Sequence, residues 1–210
     1  MKIKNIFIFT IASLITLQAY SQGNVEFIKD NFPEKSSEMR DMIKAMKNGD
    51  KLLEYEPPRY SEALELYMQA NDFNPENALL NYKVGKCYLH TVQKTKAIAY
   101  LEKSIKLDPK AAANQRYILS RAYHLNYEFD KAIDMYAKYR HTLTPFELTE
   151  YGDAIDKMIE ECEDGKDIVR NPIRVFIDNI GNVVNTKWPE YSPIVSADES
   201  VLMFTSCREV

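Results

Sequence analysis

Small, bulky and helix-ending residues recur along the middle of the chain at a nearly constant spacing. The segment from Ala78 to Pro109 carries one set of these positions, namely Gly85, Tyr88, Ala97, Leu101, Ser104 and Pro109. Four of them recur 34 residues earlier, as Ala63, Tyr67, Ala70 and Pro75. A third copy follows at an offset of 35 residues, as Ser120, Tyr123, Ala132 and Tyr136, and is closed by Pro145. This recurrence predicts three helix pairs that stack on one another.

The residue types predict how each pair packs. Gly85 and Ala97 are small, so helices A and B of one repeat can cross closely there. Tyr88 and Leu101 are large and would fill the space beside the crossing. Pro109 should end helix B, because proline lacks an amide proton and disfavours helix at the residue before it.

The first pair is less regular than the second. Gly49 precedes Ala63 by 14 residues, whereas Gly85 precedes Ala97 by 12. The inserted residues include the pair Pro57–Pro58. We therefore expect a longer loop between the two helices of the first repeat.

A capping helix is predicted after the third repeat, over 146–164. Thr144 or Pro145 would start it, and Gly165 would end it in the usual C-cap place. One face is apolar and the other is acidic, with Asp153, Asp156, Glu160, Glu161 and Glu163. A solvated outer face is the favoured interpretation of these acids, because a solenoid needs a polar surface on its last repeat. A cation site is the alternative.

These spacings resemble the tetratricopeptide pattern G-x2-Y, A-x3-F-x2-A and P. Leu101 and Ser104 stand where that family usually has an aromatic residue and an alanine. The resemblance implies a mainly α helical-repeat solenoid of about three repeats plus a capping helix, over residues 24–165. It also implies a non-enzymatic scaffold that binds other proteins.

The periodicity changes after Asn171-Pro172. Apolar and polar residues alternate over 173–177, which predicts a strand, and 179–182 reads as a turn. A second strand is predicted over 201–205, preceded by a loop over 196–200. The pattern divides this end of the chain into a linker at 166–172 and an incomplete β segment at 173–210.

The β segment resembles the opening blade of a Trp-Asp-repeat-like β-propeller. The resemblance rests on the Y-x-P, S-x-D and F-x-S-x-R patterns at 191–193, 196–198 and 204–208, from which Cys207 departs. A signal-like N-terminal segment, the repeats and this propeller opening, in that order, resemble the N-terminal part of Bacteroidetes OmpA-family envelope proteins. Some of those proteins belong to the type IX secretion and gliding apparatus. Pro193 and Asp198 are expected to hold turns.

Residues 1–21 read as a secretory signal peptide. Lys2 and Lys4 precede an apolar run of about 12 residues, and Ala19–Ser21 places small residues at the positions that a signal peptidase reads. Cleavage would leave Gln22 first. An uncleaved anchor is the alternative, but spanning a bilayer takes about 20 apolar residues. We therefore expect a periplasmic protein without a transmembrane span after cleavage. We do not expect a lipid anchor, because the cleavage point has no cysteine.

Net charge, missing motifs and the spacing of cysteines and histidines each argue against a class of function. The net charge of -4 becomes -6 once Lys2 and Lys4 are removed, which argues against a nucleic-acid surface. Motifs of common enzymes, such as G-x-S-x-G, H-E-x-x-H and the phosphate-binding glycine loop, are missing from the sequence. No cofactor or metal site is predicted, because the cysteines and histidines lack ligand spacing. Cys87 reads as a buried small residue, and an exported setting also permits a Cys87–Cys162 disulfide.

A partner-binding groove is predicted on helix A of the second and third repeats. The positions expected to face it are Leu79, Tyr82, Lys86 and Leu89, then Asn114, Tyr117, Arg121 and His124. Tyr82 and Lys86 are four residues apart, as are Tyr117 and Arg121, so the tyrosine and the cation of each pair share one helix face. Such a surface suits a peptide carboxylate or an acidic segment. The alternative is that these are solvated or packing residues.

Three functions follow from these patterns. The first is a protein–protein interaction scaffold of the bacterial cell envelope, with association to the outer membrane or cell wall only through regions outside this sequence. The second is a structural spacer that links a propeller to a peptidoglycan-bound OmpA-like domain. The third is an enzyme whose active site would lie in the rest of the propeller.

Overall fold

The structure, a computed structural model, describes residues 23–208. The signal peptide predicted at 1–21 therefore lies outside the described residues. The chain divides into two compact units, one ending at Val169 and the other beginning at Arg170.

The first unit is mainly helical. Two short 3-10 turns, Lys29–Asn31 and Lys94–Lys96, accompany the described helices, which are α1 Ser36–Leu52, α2 Tyr60–Phe73, α3 Ala78–Tyr88, α4 Ala97–Leu107, α5 Gln115–Leu125, α6 Phe129–Arg140 and α7 Pro145–Arg170. The helices pair as α1 with α2, α3 with α4 and α5 with α6, and each pair packs on the next. This order confirms the predicted helical-repeat architecture.

Close crossing of the paired helices is confirmed at the predicted glycines. A Cβ atom on Gly85 would lie 2.6 Å from Cγ of Leu101 and 3.2 Å from the carbonyl oxygen of Ala97. A Cβ atom on Gly49 would lie 2.6 Å from Cε1 of Tyr67. Glycine is therefore required by space at both crossings, since protein interiors are packed too densely to admit a further methyl group at such a distance.

Serine replaces a smaller residue at two repeat positions and keeps its hydroxyl bonded locally. The Ser104 hydroxyl donates to the carbonyl of Ala78 at 2.7 Å, which links the two helices of the second pair. The Ser120 hydroxyl lies 2.9 Å from the carbonyls of both Arg116 and Tyr117 in its own helix. Each buried hydroxyl thereby avoids the cost of an unpaired polar group.

The inter-helix connections follow the sequence pattern. Residues 53–59 join α1 to α2, and residues 89–96 join α3 to α4. The second connection ends in the 3-10 turn Lys94–Lys96, which leads directly into α4, so the first connection is longer only when the second is counted up to this turn. Helix α4 ends at Leu107, and Asp108 before Pro109 is extended, with φ -151° and ψ 109°. The proline therefore ends helix B as expected.

Helix α7 begins where predicted but ends later. The Thr144 and Glu147 side chains each bond the other's backbone N–H, at 3.3 and 2.8 Å, which is a capping box. The helix then continues through Gly165 to Arg170, so the predicted C-cap is wrong and part of the predicted linker is helical. A Cβ on Gly165 would lie 2.6 Å from Cζ of Phe129. Gly165 therefore allows α7 to pack closely against Phe129 of α6, and it does not end the helix.

Helix α7 lies antiparallel to α6, and ion pairs join the two helices near both ends. Lys166 pairs with Asp130 at 2.7 Å, and Arg140 pairs with Asp156 at 2.8 Å. Two residues of the acidic face of α7, Asp156 and Glu163, therefore pair with cations, namely Arg140 of α6 and Lys166 of α7.

The cysteines of the helical unit are free thiols. Cys87 and Cys162 are both buried and unpaired, so the disulfide alternative is wrong. Burial raises the pKa of Cys87 to about 12 and that of Cys162 to about 11, which keeps both thiols protonated. The two side chains fill separate places in the core, one on α3 and one on α7.

The second unit holds a two-stranded antiparallel sheet. Strand β1, Glu190–Val195, pairs with β2, Leu202–Ser206. The position of β2 confirms the strand predicted at 201–205, whereas β1 was not predicted. The Asp198 carboxylate accepts from the hydroxyls of Ser196 and Ser200 at 2.6 and 2.9 Å, so this residue holds the turn as expected. Pro193 lies within β1, where the register shifts between Tyr191 and Ile194, so its predicted place in a turn is wrong.

The strand predicted at 173–177 is not formed. Ile173, Phe176 and Ile177 are 86, 76 and 91% exposed, and this segment has no regular structure. A strand needs a hydrogen-bonded neighbour, and within residues 23–208 the paired strands are β1 and β2 alone. Alternation of apolar residues marks a face that can be buried, but it does not supply the neighbouring strand.

Candidate binding groove

Two of the predicted groove residues are packing residues in the structure. Leu89 is buried in the core of the second repeat. Tyr82 is also buried, and its hydroxyl donates to Oδ1 of Asn114 at 2.7 Å. Because Tyr82 lies on α3 and Asn114 is the N-cap of α5, this bond joins the helices A of successive repeats.

A basic cluster forms where α3 and α5 end. Lys86 near the end of α3, Lys94 of the second 3-10 turn and Arg121 of α5 all lie close enough to His90 to act on its charge. Burial first, and then the positive charges of Arg121, Lys86 and Lys94, lower the pKa of His90. The ring of Tyr60 stacks on this imidazole, with centroids 3.8 Å apart. The three cations form no ion pair with any residue in 23–208.

Lys86 and Arg121 occupy the same position in successive repeats, directly after the small residue of helix A. In the first repeat this position is Asp50, whose carboxylate accepts from the Tyr67 hydroxyl at 2.7 Å and from Nζ of Lys83 at 2.5 Å. The first repeat therefore supplies its own carboxylate, which is already paired. The second and third repeats instead present cations that have no such partner within the described chain.

His124, also predicted in the groove, packs against neighbouring rings. Its imidazole meets Phe129 edge-on at 5.9 Å and Tyr136 at 6.3 Å. The side chain is partly buried by these contacts. His124 is therefore mainly a packing residue of the third repeat and is not counted in the basic cluster.

A pocket of about 280 Å³ opens beside Tyr117. We call it the tyrosine pocket; its lining residues are Asn114, Tyr117, Tyr139, Tyr151, Ala154 and Ile155. The rings of Tyr117 and Tyr139 lie 5.4 Å apart. The last four of these residues were not predicted from the sequence. If the repeat numbering had been continued into α7, the lining residues on that helix could have been predicted as groove positions.

The first repeat carries a second pocket, of about 300 Å³. Leu79, the remaining predicted groove residue, is exposed at its edge. Its other lining residues are Glu26, Phe27, Ile43, Met46, Lys47, Asp50, Asn77 and Lys83. This pocket mixes both signs of charge, and two of its charged groups, Asp50 and Lys83, already pair with each other.

Residues 23–208 contain no group of three or more His, Cys, Asp or Glu side chains arranged to hold a metal ion. Within the same residues, no helix is both long enough and apolar enough to cross a bilayer.

Comparisons with known proteins find likeness in structure only. No family model matches the sequence, and no curated protein matches it. The chain is similar to the Sgt2 TPR domain from Aspergillus fumigatus, with 21% identity and a TM-score of 0.47 over 68% of this chain and 89% of that one. It is also similar to two structures of MamA. One has 18% identity and a TM-score of 0.46 over 68% of this chain and 83% of that one. The other has 19% identity and a TM-score of 0.46 over 65% and 84%.

We expect His90 to titrate below its ordinary pKa of 6.5. Nearby positive charge disfavours the protonated imidazole, so Arg121→Gln should raise this pKa. A bound carboxylate should raise it as well, which means that acidic ligands should bind more tightly as the pH falls through the titration of His90. Titration of the imidazole by NMR measures all three effects. An unchanged pKa in the Arg121→Gln variant would show that the guanidinium does not face His90.

Proposed function

We propose that the helical unit is a protein–protein interaction scaffold that binds an acidic segment of a partner at the basic cluster. The observation that carries this proposal is that Lys86 and Arg121, from successive repeats, both lie close enough to His90 to act on its charge. Neither cation has an ion-pair partner in the described chain. Partner carboxylates would pair with Lys86 and Arg121, which stand where the first repeat has the already paired Asp50.

The physical basis is relief of repulsion between like charges. Unpaired cations held close together repel one another, and a carboxylate between them forms charge-assisted hydrogen bonds to both. Such contacts at an exposed site are screened by salt over about 10 Å at 0.1 M. Binding should therefore weaken as the ionic strength rises.

The proposal is tested by fluorescence anisotropy with labelled acidic peptides and their amide counterparts. The double variant Lys86→Gln/Arg121→Gln should bind an acidic peptide at least about tenfold more weakly than the parent chain. The matched control is Lys106→Gln/Lys110→Gln, which removes the same charge from exposed sites in and after α4, away from the cluster.

The control should bind nearly as well as the parent chain. Equal losses in the two double variants would mean that net charge and not the basic cluster drives binding, and would overturn the proposal. Circular dichroism and urea unfolding of both variants would show that the fold is retained.

We further propose that the protein works in the bacterial cell envelope, in an outer-membrane or type IX secretion-associated assembly. The support is the signal-like sequence at 1–21 and the order of repeats followed by a propeller-like β segment. Expression of the full chain in a bacterium, followed by fractionation and intact mass, tests this. A periplasmic product that begins at Gln22 is expected. An unprocessed cytoplasmic product would contradict it.

A further inference from the structure

We infer that the tyrosine pocket binds one bulky apolar side chain of the same acidic segment that the basic cluster holds. The inference rests on the proposed function and adds a sequence preference to it. The preferred ligand would carry a phenylalanine or leucine about two residues from an aspartate or glutamate.

The chemistry of the pocket favours an apolar occupant. Phenol rings of Tyr117, Tyr139 and Tyr151 form much of its wall, and Ala154 and Ile155 add aliphatic surface. Aromatic walls gain most from an apolar side chain that stacks on them or meets their edges. Asn114 supplies an amide beside these rings, and its Oδ1 is already taken by the Tyr82 hydroxyl.

The size of the pocket indicates a single side chain. Its volume of about 280 Å³ lies just below the range of about 300–1,000 Å³ that is usual for small-molecule sites. Tyr151 at its edge is 47% exposed, so an occupant would also cover aromatic surface that now faces solvent. Covering such surface is the favourable term in most protein association.

Helix geometry links the pocket to the basic cluster. Tyr117 and Arg121 are four residues apart in α5, so they share one face about 6 Å apart along the axis. An extended peptide advances about 3.3 Å per residue. A side chain in the pocket and a carboxylate at Arg121 would therefore belong to residues about two apart, which lie on the same side of an extended strand.

The test compares two labelled peptides that differ at one position. Both carry the same aspartates, and one has phenylalanine two residues from an aspartate where the other has alanine. The phenylalanine peptide should bind the full chain roughly ten- to a hundredfold more tightly. A third peptide, with the phenylalanine moved well beyond the reach of the pocket, should lose this advantage.

Variants assign the preference to the pocket. Ala154→Leu places a larger side chain in the pocket at an exposed helical position, and should reduce the preference to near unity. Thr149→Leu makes a comparable change at an exposed position of α7 outside the pocket, and should retain the preference. Lys86→Gln/Arg121→Gln should weaken both peptides while their ratio persists.

The outcomes separate this inference from the proposed function. Acid-dependent binding with equal affinity for the phenylalanine and alanine peptides would overturn the pocket assignment alone. A preference that survives Ala154→Leu would also overturn it, since the apolar side chain would then bind elsewhere. Failure of every acidic peptide to bind would overturn the proposed function and the pocket together.

Discussion

Gly85→Val is expected to lower the free energy of unfolding by about 3 kcal/mol, at the upper end of the usual cost of overpacking a core. A Cβ there would already lie 2.6 Å from Cγ and 2.9 Å from Cδ2 of Leu101, which is fully buried. Ala97 blocks the other direction, since its carbonyl oxygen would lie 3.2 Å away. The helices of the second repeat would have to separate, and Leu101 would leave its packed position.

The control for this prediction is Gly152→Ala. Gly152 lies in helix α7, and a Cβ there would have no atom within 4 Å apart from its own local backbone. Alanine costs less than glycine in a helix interior, so this variant should gain about 0.5–1 kcal/mol. Urea unfolding followed by circular dichroism measures both changes. Equal stability of the two variants would mean that α3 and α4 do not cross closely at Gly85.

Tyr67→Phe is expected to cost about 1.5–3 kcal/mol, the usual value of a hydrogen bond to a charged group. The Tyr67 hydroxyl donates to the Asp50 carboxylate at 2.7 Å and joins α2 to α1. Burial, and then this bond to Asp50, raise the pKa of Tyr67 well above its ordinary value, so the hydroxyl stays a donor throughout the pH range of folding. Phenylalanine keeps the ring but leaves Asp50 with one partner fewer.

Tyr136→Phe is the matched control, because Tyr136 occupies the same position in the third repeat. Its side chain is fully buried, and its hydroxyl has no hydrogen-bond partner among residues 23–208. Removing an unpaired buried hydroxyl relieves a desolvation cost, so this variant should be as stable as the parent chain or slightly more stable. The same urea measurements apply. A large loss in Tyr136→Phe would show that its hydroxyl is bonded in solution.

Much of the helical unit was predictable because its determinants are local and recur. Gly49 and Gly85 stand where two helices must approach closely, and each faces a large residue, Tyr67 or Leu101, one helix away. Pro109 stops a helix through its own covalent structure. The predictable part of the candidate site was likewise local, since Lys86 and Arg121 were identified from their places in the repeat.

Errors arose where local residues leave the outcome open. Glycine is compatible both with a helix end and with a close contact between helices. Only the position of the Phe129 ring shows that Gly165 stands at a close contact. Alternation at 173–177 is compatible with a strand, but no partner strand pairs with it in the described residues. Tyr82 has groove-facing spacing, yet its hydroxyl is bonded to Asn114 across the repeat interface.

The amino-acid sequence by itself determined the helix pairs, their order and the glycines at their crossings, because each depends on residues within one repeat. Only the tertiary structure decided which side chains from different helices meet. It placed Lys86, Lys94 and Arg121 close enough to His90 to act on its charge, and it brought residues of α5, α6 and α7 together to line the tyrosine pocket. Contacts between separate elements depend on how the helices stack, and no spacing along one chain segment specifies that.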